Sequence, residues 1–293
     1  MHGVTGPDEY NTVVNNNTFT NLMARKNLRE AAATVDFLRR EKTEEYAELV
    51  FKTNLKLAEV DDWKKAADLM YIPYDEKLQI HPQDDDFLDK QPWDFENTPG
   101  DTYPLLLYYH PLVIYRHQVI KQADIVLAML LLGQEFTREQ KKRNFDFYDP
   151  LTTGDSSLSV CIQSVLAAEL GYEDIAADYA AYAVLMDFAD VGGNVKDGCH
   201  MASMGGSWMV FVYGFAGMRD HGGRWSFNPR LPKVLTRLRF PLTIGSCVLQ
   251  VDIKRESATY TLQKGEALEL WHEDEKLRLT GDSPSATRPI TRL

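Results

Sequence analysis

The sequence predicts a mainly helical protein, part of an α/α-barrel followed by a small antiparallel β region. Three observations carry this reading. Through about residue 223, apolar side chains recur at helical spacing. Two of those stretches, "IVLAMLLL" and "AADYAAYAVLMDFA", are apolar on more than one face, as helices of an inner layer are. Beyond Arg224 the pattern changes to an apolar–polar alternation rich in β-branched residues. Paired helices with an inner ring suggest a toroid rather than a simple bundle, and no internal repeat points to a solenoid. The expected domains are therefore residues 1–223, barrel, and residues 224–293, β-sheet.

Phe19, Leu22, Met23, Leu28, Ala32, Val35 and Leu38 mark the apolar face of a first helix over about residues 18–40. Thr43 starts a second, with Tyr46, Leu49, Val50, Leu55 and Leu57 inward. Asp61 is placed to cap a third that runs through Trp63, Ala66, Ala67 and Met70 and stops before Pro73. Residues 74–111, rich in Pro, Asp and Tyr, read as a long ordered excursion with one strand-like run at 77–81; excursions of this length are usually functional. Helical spacing returns over residues 119–132, 137–148, 156–170, 172–188 and 201–215. Strands are expected to about residue 279, and "DSPSATRPITRL" reads as a fraying tail.

The 293 residues suffice for a buried core and two domains. The formal charge of -11, from 43 acids against 32 bases, argues against a nucleic-acid or anionic-membrane partner. Cys161, Cys199 and Cys247 are widely spaced and odd in number, which suits reduced thiols and disfavours a zinc site. The longest apolar run, residues 125–132, is too short to span a bilayer, and no signal peptide is visible. A cytoplasmic protein is expected.

Four stretches are unusual for a plain helical core. In "TGPDEYN", Glu9 follows a Gly-Pro turn, either as a charge at a helix entrance or as a chemical group. In "VIKQADIVLAMLL", Lys121, Gln122 and Asp124 open an apolar helix and either cap it or line a cavity at its end. In "YDPLTTGDSSLSVC", hydroxyls and a flexible Gly precede an apolar helix, where backbone N–H groups make an anion site or where Asp155 or Ser156 merely caps. In "KDGCHMASMGGSW", His200 stands before a helix whose small residues permit close approach; it is either structural or part of a site.

In this order, "GPDEY", "NNNTFTN", "KQAD", "DSSLS" and "HMASMGGSW" resemble glycoside hydrolase family 65, whose members include the maltose, trehalose and kojibiose phosphorylases. The resemblance implies an (α/α)6 barrel with a C-terminal β domain. It implies inverting phosphorolysis of an α-glucosyl disaccharide to β-glucose 1-phosphate and a sugar. Glu9 matches the family's general acid, Lys121 and Gln122 its glucose side, and Ser156, Ser157 and His200 its phosphate site. Inorganic phosphate is then a co-substrate, and no metal or organic cofactor is needed. The family's full chain carries a β-sandwich, a linker and half of the barrel ahead of this region. The chain is thus expected to be a C-terminal portion, poorly active alone, and to form a homo-oligomer or act with an N-terminal portion of the same enzyme. Two departures stand out: Asn11 and Gly154 occupy positions where many members have His.

An inverting hydrolase needs a second carboxylate to activate water, whereas phosphate arrives as an anion and needs only positioning. The hydroxyls at 152–159 and His200 favour phosphate over a catalytic base. The alternatives are a trehalase-like hydrolase of the same fold and an inactive, sugar-binding fragment. A general acid must be protonated near neutral pH, so burial or a neighbouring charge, Asp8 among the candidates, is expected to raise the pKa of Glu9.

Overall fold

The computed structural model describes residues 1–291; the expectation of a frayed end at 292–293 lies outside them. The chain forms two compact units, residues 1–128 and residues from 129 onward. Helices dominate through Phe215 and strands follow from Ser226, as the change in periodicity predicts. Among the described residues, no helix is long and apolar enough to cross a membrane.

The first unit opens on a turn, followed by α1 (Thr18–Glu41), α2 (Thr43–Thr53) and α3 (Leu57–Asp68). Asn17 caps α1 by accepting the Thr20 N–H at 2.9 Å, and Arg39 and Arg40 complement the dipole in the last turn. Ala32 and Val35 of α1 meet Val60 of α3, with Tyr46, Leu49, Leu55 and Trp63 packed around them. Burial of Val60 requires the turn before Asp61 to be helical already, so α3 begins at Leu57 and Asp61 lies inside it. Leu57, expected inward, points to solvent.

The excursion is ordered and has its own core, in which Trp93, Leu105, Ile114 and Val119 enclose Tyr10. It contains a two-residue parallel pairing of β1 (Gln91–Pro92) with β2 (His117–Gln118) and one helical turn, α4 (Pro111–Ile114). Residues 77–81 are a turn rather than the expected strand: Asp75 bridges to Ile80, its carboxylate accepts the Leu78 N–H at 2.7 Å, and Gln79 adopts φ 56°. The next helix, α5 (Asp124–Leu131), is shorter than the apolar pattern suggests. The backbone N–H groups of Lys121 and Gln122 are bound by a side chain and do not enter the helix.

In the second unit α6 (Arg138–Tyr148) begins with a capping box between Thr137 and Gln140. It is followed by α7 (Ser159–Leu170), α8 (Glu173–Leu185) and α9 (Met201–Met209), the last continuing as a π-helical turn over Val210–Phe215. In α7 every residue except Ile162 and Glu169 is buried, which makes it the inner helix of this unit. α8 is not inner on several faces: it buries only the stripe Ala176, Ala180 and Ala183 and exposes Ile175 and Leu185. Its alanines allow close contact with α7 while the larger residues face out. Gly206 has the same use, since a Cβ there would lie 2.5 Å from Cys161 Sγ.

Strands β3 (Ser226–Phe227), β4 (Arg237–Ile244), β5 (Cys247–Lys254), β6 (Ser257–Lys264), β7 (Ala267–His272), β8 (Glu275–Thr280) and β9 (Ser285–Pro289) form two sheets. One is antiparallel, ordered β4-β5-β6-β9; the other, β3-β7-β8, pairs β3 in parallel with β7. The alternating side chains Leu249, Val251, Ile253, Tyr260, Leu270 and Leu279 share one core. Residues 285–289 do not fray, because β9 pairs with β6 and Arg288 clasps Glu275 through two 2.7 Å hydrogen bonds.

Candidate active site

In the opening turn Glu9 stands between two buried side chains. Asp8 and Tyr10 are 1% exposed, so Glu9 between them must point outward. Tyr10 enters the core of the excursion, where its hydroxyl accepts the Leu105 N–H at 2.7 Å. The Glu9 backbone N–H donates to Gln122 Oε1 at 3.1 Å, and Glu9 Oε1 accepts from Gln122 Nε2 at 3.0 Å. Glu9 Oε2 accepts from Lys121 Nζ. Glu9, Lys121 and Gln122 are thus brought together across more than a hundred residues of chain, Lys121 and Gln122 from the turn before α5 rather than from the helix itself.

The side chain of Glu9 is 52% accessible, and the Lys121 ammonium holds its carboxyl below the usual range. This corrects the expectation of a raised pKa: an exposed carboxylate beside a cation favours its charge. The raised groups lie beneath it. Burial pushes Asp8 up to about 6, against its hydrogen bonds from Lys121 N–H (2.9 Å) and Gln83 Nε2 (2.9 Å). Burial, then the nearby charge of Asp8, puts Asp124 well above the usual carboxylate range. Asp8 N–H donates to Asp124 Oδ1 at 2.8 Å, and Asn17 Nδ2 donates to Asp124 Oδ2 at 2.7 Å. Gly6 is required where it stands, because a Cβ would lie 2.1 Å from Asp124 Oδ2 and 2.6 Å from Asn17 Nδ2.

Asn11 also turns inward. Its Nδ2 donates to Asp84 Oδ2 at 2.7 Å, while its Oδ1 accepts from Lys90 Nζ at 3.1 Å. The roles of Asn17, Gln83, Asp84 and Lys90 escape sequence reasoning. The only local signals are the asparagine run at 15–17, which belongs to the "NNNTFTN" motif, and the acidic run at 84–86 in the ordered excursion; neither says which of its residues turns inward.

In the second unit Ser156 and Ser157 form a turn ahead of α7, in place of the helix start expected at 156. The Ser156 carbonyl accepts the Ser159 N–H at 3.2 Å, and its hydroxyl accepts the Leu158 N–H at 3.2 Å. His200 directly precedes α9. Its N–H donates to Asp187 Oδ2 at 2.9 Å and its Nδ1 lies 2.6 Å from Asp187 Oδ1, which holds the Asp187 carboxyl below its ordinary pKa. Gly206 faces Cys161 and Gly214 faces Val165, so α9 and its π extension run in the same direction as α7. The two helix starts, with Ser156, Ser157 and His200, therefore lie at one end of the pair. Gly154 has φ 72°, a left-handed conformation that glycine adopts without strain and that a histidine would not. Among the described residues, no cluster of three or more His, Cys, Asp or Glu is arranged to hold a metal ion.

Residues 1–209 match the central catalytic domain of glycosyl hydrolase family 65, and residues 218–279 match its C-terminal domain. The α,α-trehalose phosphorylase of Geobacillus stearothermophilus is 45% identical over 97% of this chain and 37% of its own length. The maltose phosphorylase of Bacillus subtilis is 34% identical over 96% of this chain and 36% of its own. The solved structure of a candidate kojibiose phosphorylase from the human microbiome superposes with a TM-score of 0.87 at 28% identity, covering 99% of this chain and 39% of that one. This architecture of helices followed by a small antiparallel β domain is consistent with part of an (α/α)6 barrel. The chain spans little more than a third of the length of these relatives. It belongs to glycosyl hydrolase family 65.

Proposed function

We propose that the chain supplies the acid and phosphate groups of an inverting disaccharide phosphorylase. The observation that carries this reading is Glu9, exposed between two buried neighbours and gripped by Lys121 and Gln122. In the reaction, an oxygen of hydrogen phosphate attacks the anomeric carbon as the glycosidic C–O bond breaks. Glu9 gives its proton to the leaving oxygen, and the remaining phosphate proton restores it. Products are β-glucose 1-phosphate and a free sugar. Lys121 favours the Glu9 carboxylate, so binding of the disaccharide must draw Lys121 away for Glu9 to take up its proton. Ser156, Ser157 and His200 are the phosphate ligands: two hydroxyls and a ring held by Asp187 suit an anion, and none of the three is the second carboxylate with which an inverting hydrolase activates water. No metal or organic cofactor enters the reaction.

The 45% identity to a trehalose phosphorylase, against 34% to a maltose phosphorylase, supports α,α-trehalose as the disaccharide. The test is proton NMR of the first product that the assembled enzyme, this chain together with the N-terminal portion, forms from trehalose, maltose or kojibiose, with and without phosphate. Phosphate-dependent β-glucose 1-phosphate is the expected result. Free glucose released at equal rates in both samples replaces this reading with a hydrolase. Saturable disaccharide binding without turnover replaces it with a sugar-binding role.

A further inference from the structure

Asp8 is fully buried in the first unit, and its Oδ1 does something specific. It accepts the backbone N–H of Tyr10 at 3.1 Å, of Lys121 at 2.9 Å and of Gln122 at 3.4 Å. The last two belong to the residues whose side chains hold the Glu9 carboxylate. One carboxyl oxygen thus ties both flanks of Glu9 to both of its partners. The other oxygen, Oδ2, accepts from Gln83 Nε2. Asp124 fixes the Asp8 backbone and is itself bound by Asn17, the cap of α1. The chain of contacts therefore begins at two helix starts and ends on Glu9.

We propose that Asp8 is a positioning residue for Glu9, its buried carboxyl group fixing the backbone at 121–122 so that the Lys121 and Gln122 side chains close on the Glu9 carboxylate. This rests on the reading of Glu9 as the acid, but the geometry can be tested without turnover. The charged groups around the pair are Asp124 and Asp84 on the buried side, Lys90 through Asn11, and Lys121 on the exposed side. Of these, only Lys121 contacts the Glu9 carboxylate directly. Removing the support of Asp8 frees Lys121 and Gln122 and so releases Glu9.

The experiment follows the Glu9 side-chain carboxyl carbon by NMR titration of the carbon-13-labelled protein. In the wild type it titrates below the ordinary range. Asp8→Ala should move it up toward about 4.3, the value of an unperturbed glutamate. Asp8→Asn keeps an acceptor for the three N–H groups. Its amide can donate to Gln83 Oε1, a buried oxygen without a partner, once Gln83 turns over. The low titration should persist in that variant. If Asp8→Ala does not fold, Asp8→Glu displaces the same oxygens by one methylene and should produce the same upward shift. An unchanged Glu9 titration in a folded Asp8→Ala or Asp8→Glu protein overturns the proposal. If the shift occurs but Glu9→Gln leaves turnover unaffected, Asp8 positions Glu9 as proposed and the assignment of Glu9 as the acid fails.

Discussion

Glu9 and Gln122 bind each other twice: the Glu9 N–H donates to Gln122 Oε1 at 3.1 Å, and Gln122 Nε2 donates to Glu9 Oε1 at 3.0 Å. A reciprocal amide–carboxylate pair fixes both the backbone and the side chain of Glu9, which a helix-capping role would not need. Glu9→Gln preserves size and removes the proton donor, so phosphorolysis by the complete enzyme should fall by roughly 10²–10⁴-fold. The loss should be much smaller with glucosyl fluoride, whose leaving group needs little protonation. Steady-state rates on both donors check this; equal losses would mark Glu9 as structural.

The raised pKa of Asp8 has a definite sign in stability. Its folded value of about 6 exceeds the ordinary aspartate value of 3.8, so the folded state binds the proton more tightly. The stability linked to this proton is complete below about pH 4 and is lost as pH rises through about 6. Asp8→Asn removes this dependence. Denaturant melts from pH 4 to 7.5 should show the wild type losing ground to Asp8→Asn, mostly between pH 4 and 7.

Gly6→Ala places a methyl group against Asp124 Oδ2 and Asn17 Nδ2. The two polar atoms are already bonded to each other and cannot both move away. Destabilisation of about 1–3 kcal/mol is expected from overpacking, with loss of the Asn17 cap visible as lowered amide protection at the start of α1. Thermal melts and hydrogen exchange measure the two effects.

His200→Ala should raise the phosphate KM more than the disaccharide KM, because its contact in the proposed reaction is with phosphate. Asp187→Asn should act in the same direction and more weakly, since Asp187 orients both the backbone and the ring of His200. Initial rates with each substrate varied in turn distinguish this from a general loss of folding.

Glu169 neutralises two cations of the second unit, Lys141 through one oxygen and Arg219 through the other at 2.5 Å. Burial works against its charge, but Arg219 and Lys141 outweigh burial and hold its carboxyl below the usual range. Its folded pKa is depressed, so its contribution is present above the unfolded value and is lost as pH falls. Glu169→Gln should cost on the order of 2 kcal/mol at neutral pH, less than a fully buried pair because the side chain retains 28% accessibility. Urea unfolding at pH 7 and pH 4 should show a smaller difference at the lower pH.

The helices and the switch to strands near Arg224 were legible in the sequence because periodicity is a local property. Apolar residues three and four apart define one face of a helix whatever packs against it, and alternation does the same for β5 and β6. The motif order likewise pointed to the family through Glu9, "KQAD", "DSSLS" and "HMASMGGSW". Local pattern failed where a distant partner decided the outcome. Residues 119–123 have the apolar pattern of a helix, yet Asp8 binds the N–H groups of Lys121 and Gln122 and keeps that segment out of α5. The alanines of α8 look fit for an inner helix, but only their stripe is buried, because α7 fills the interior. The protonation preferences of the site were also hidden. Adjacent carboxylates at 8 and 9 are chemically alike in sequence, and only the fold makes one buried with a raised pKa and the other exposed with a lowered one. Sequence alone determined which residue types stand at the opening turn, while the tertiary structure decided their ionisation, because desolvation and charge proximity depend on atoms more than a hundred residues away.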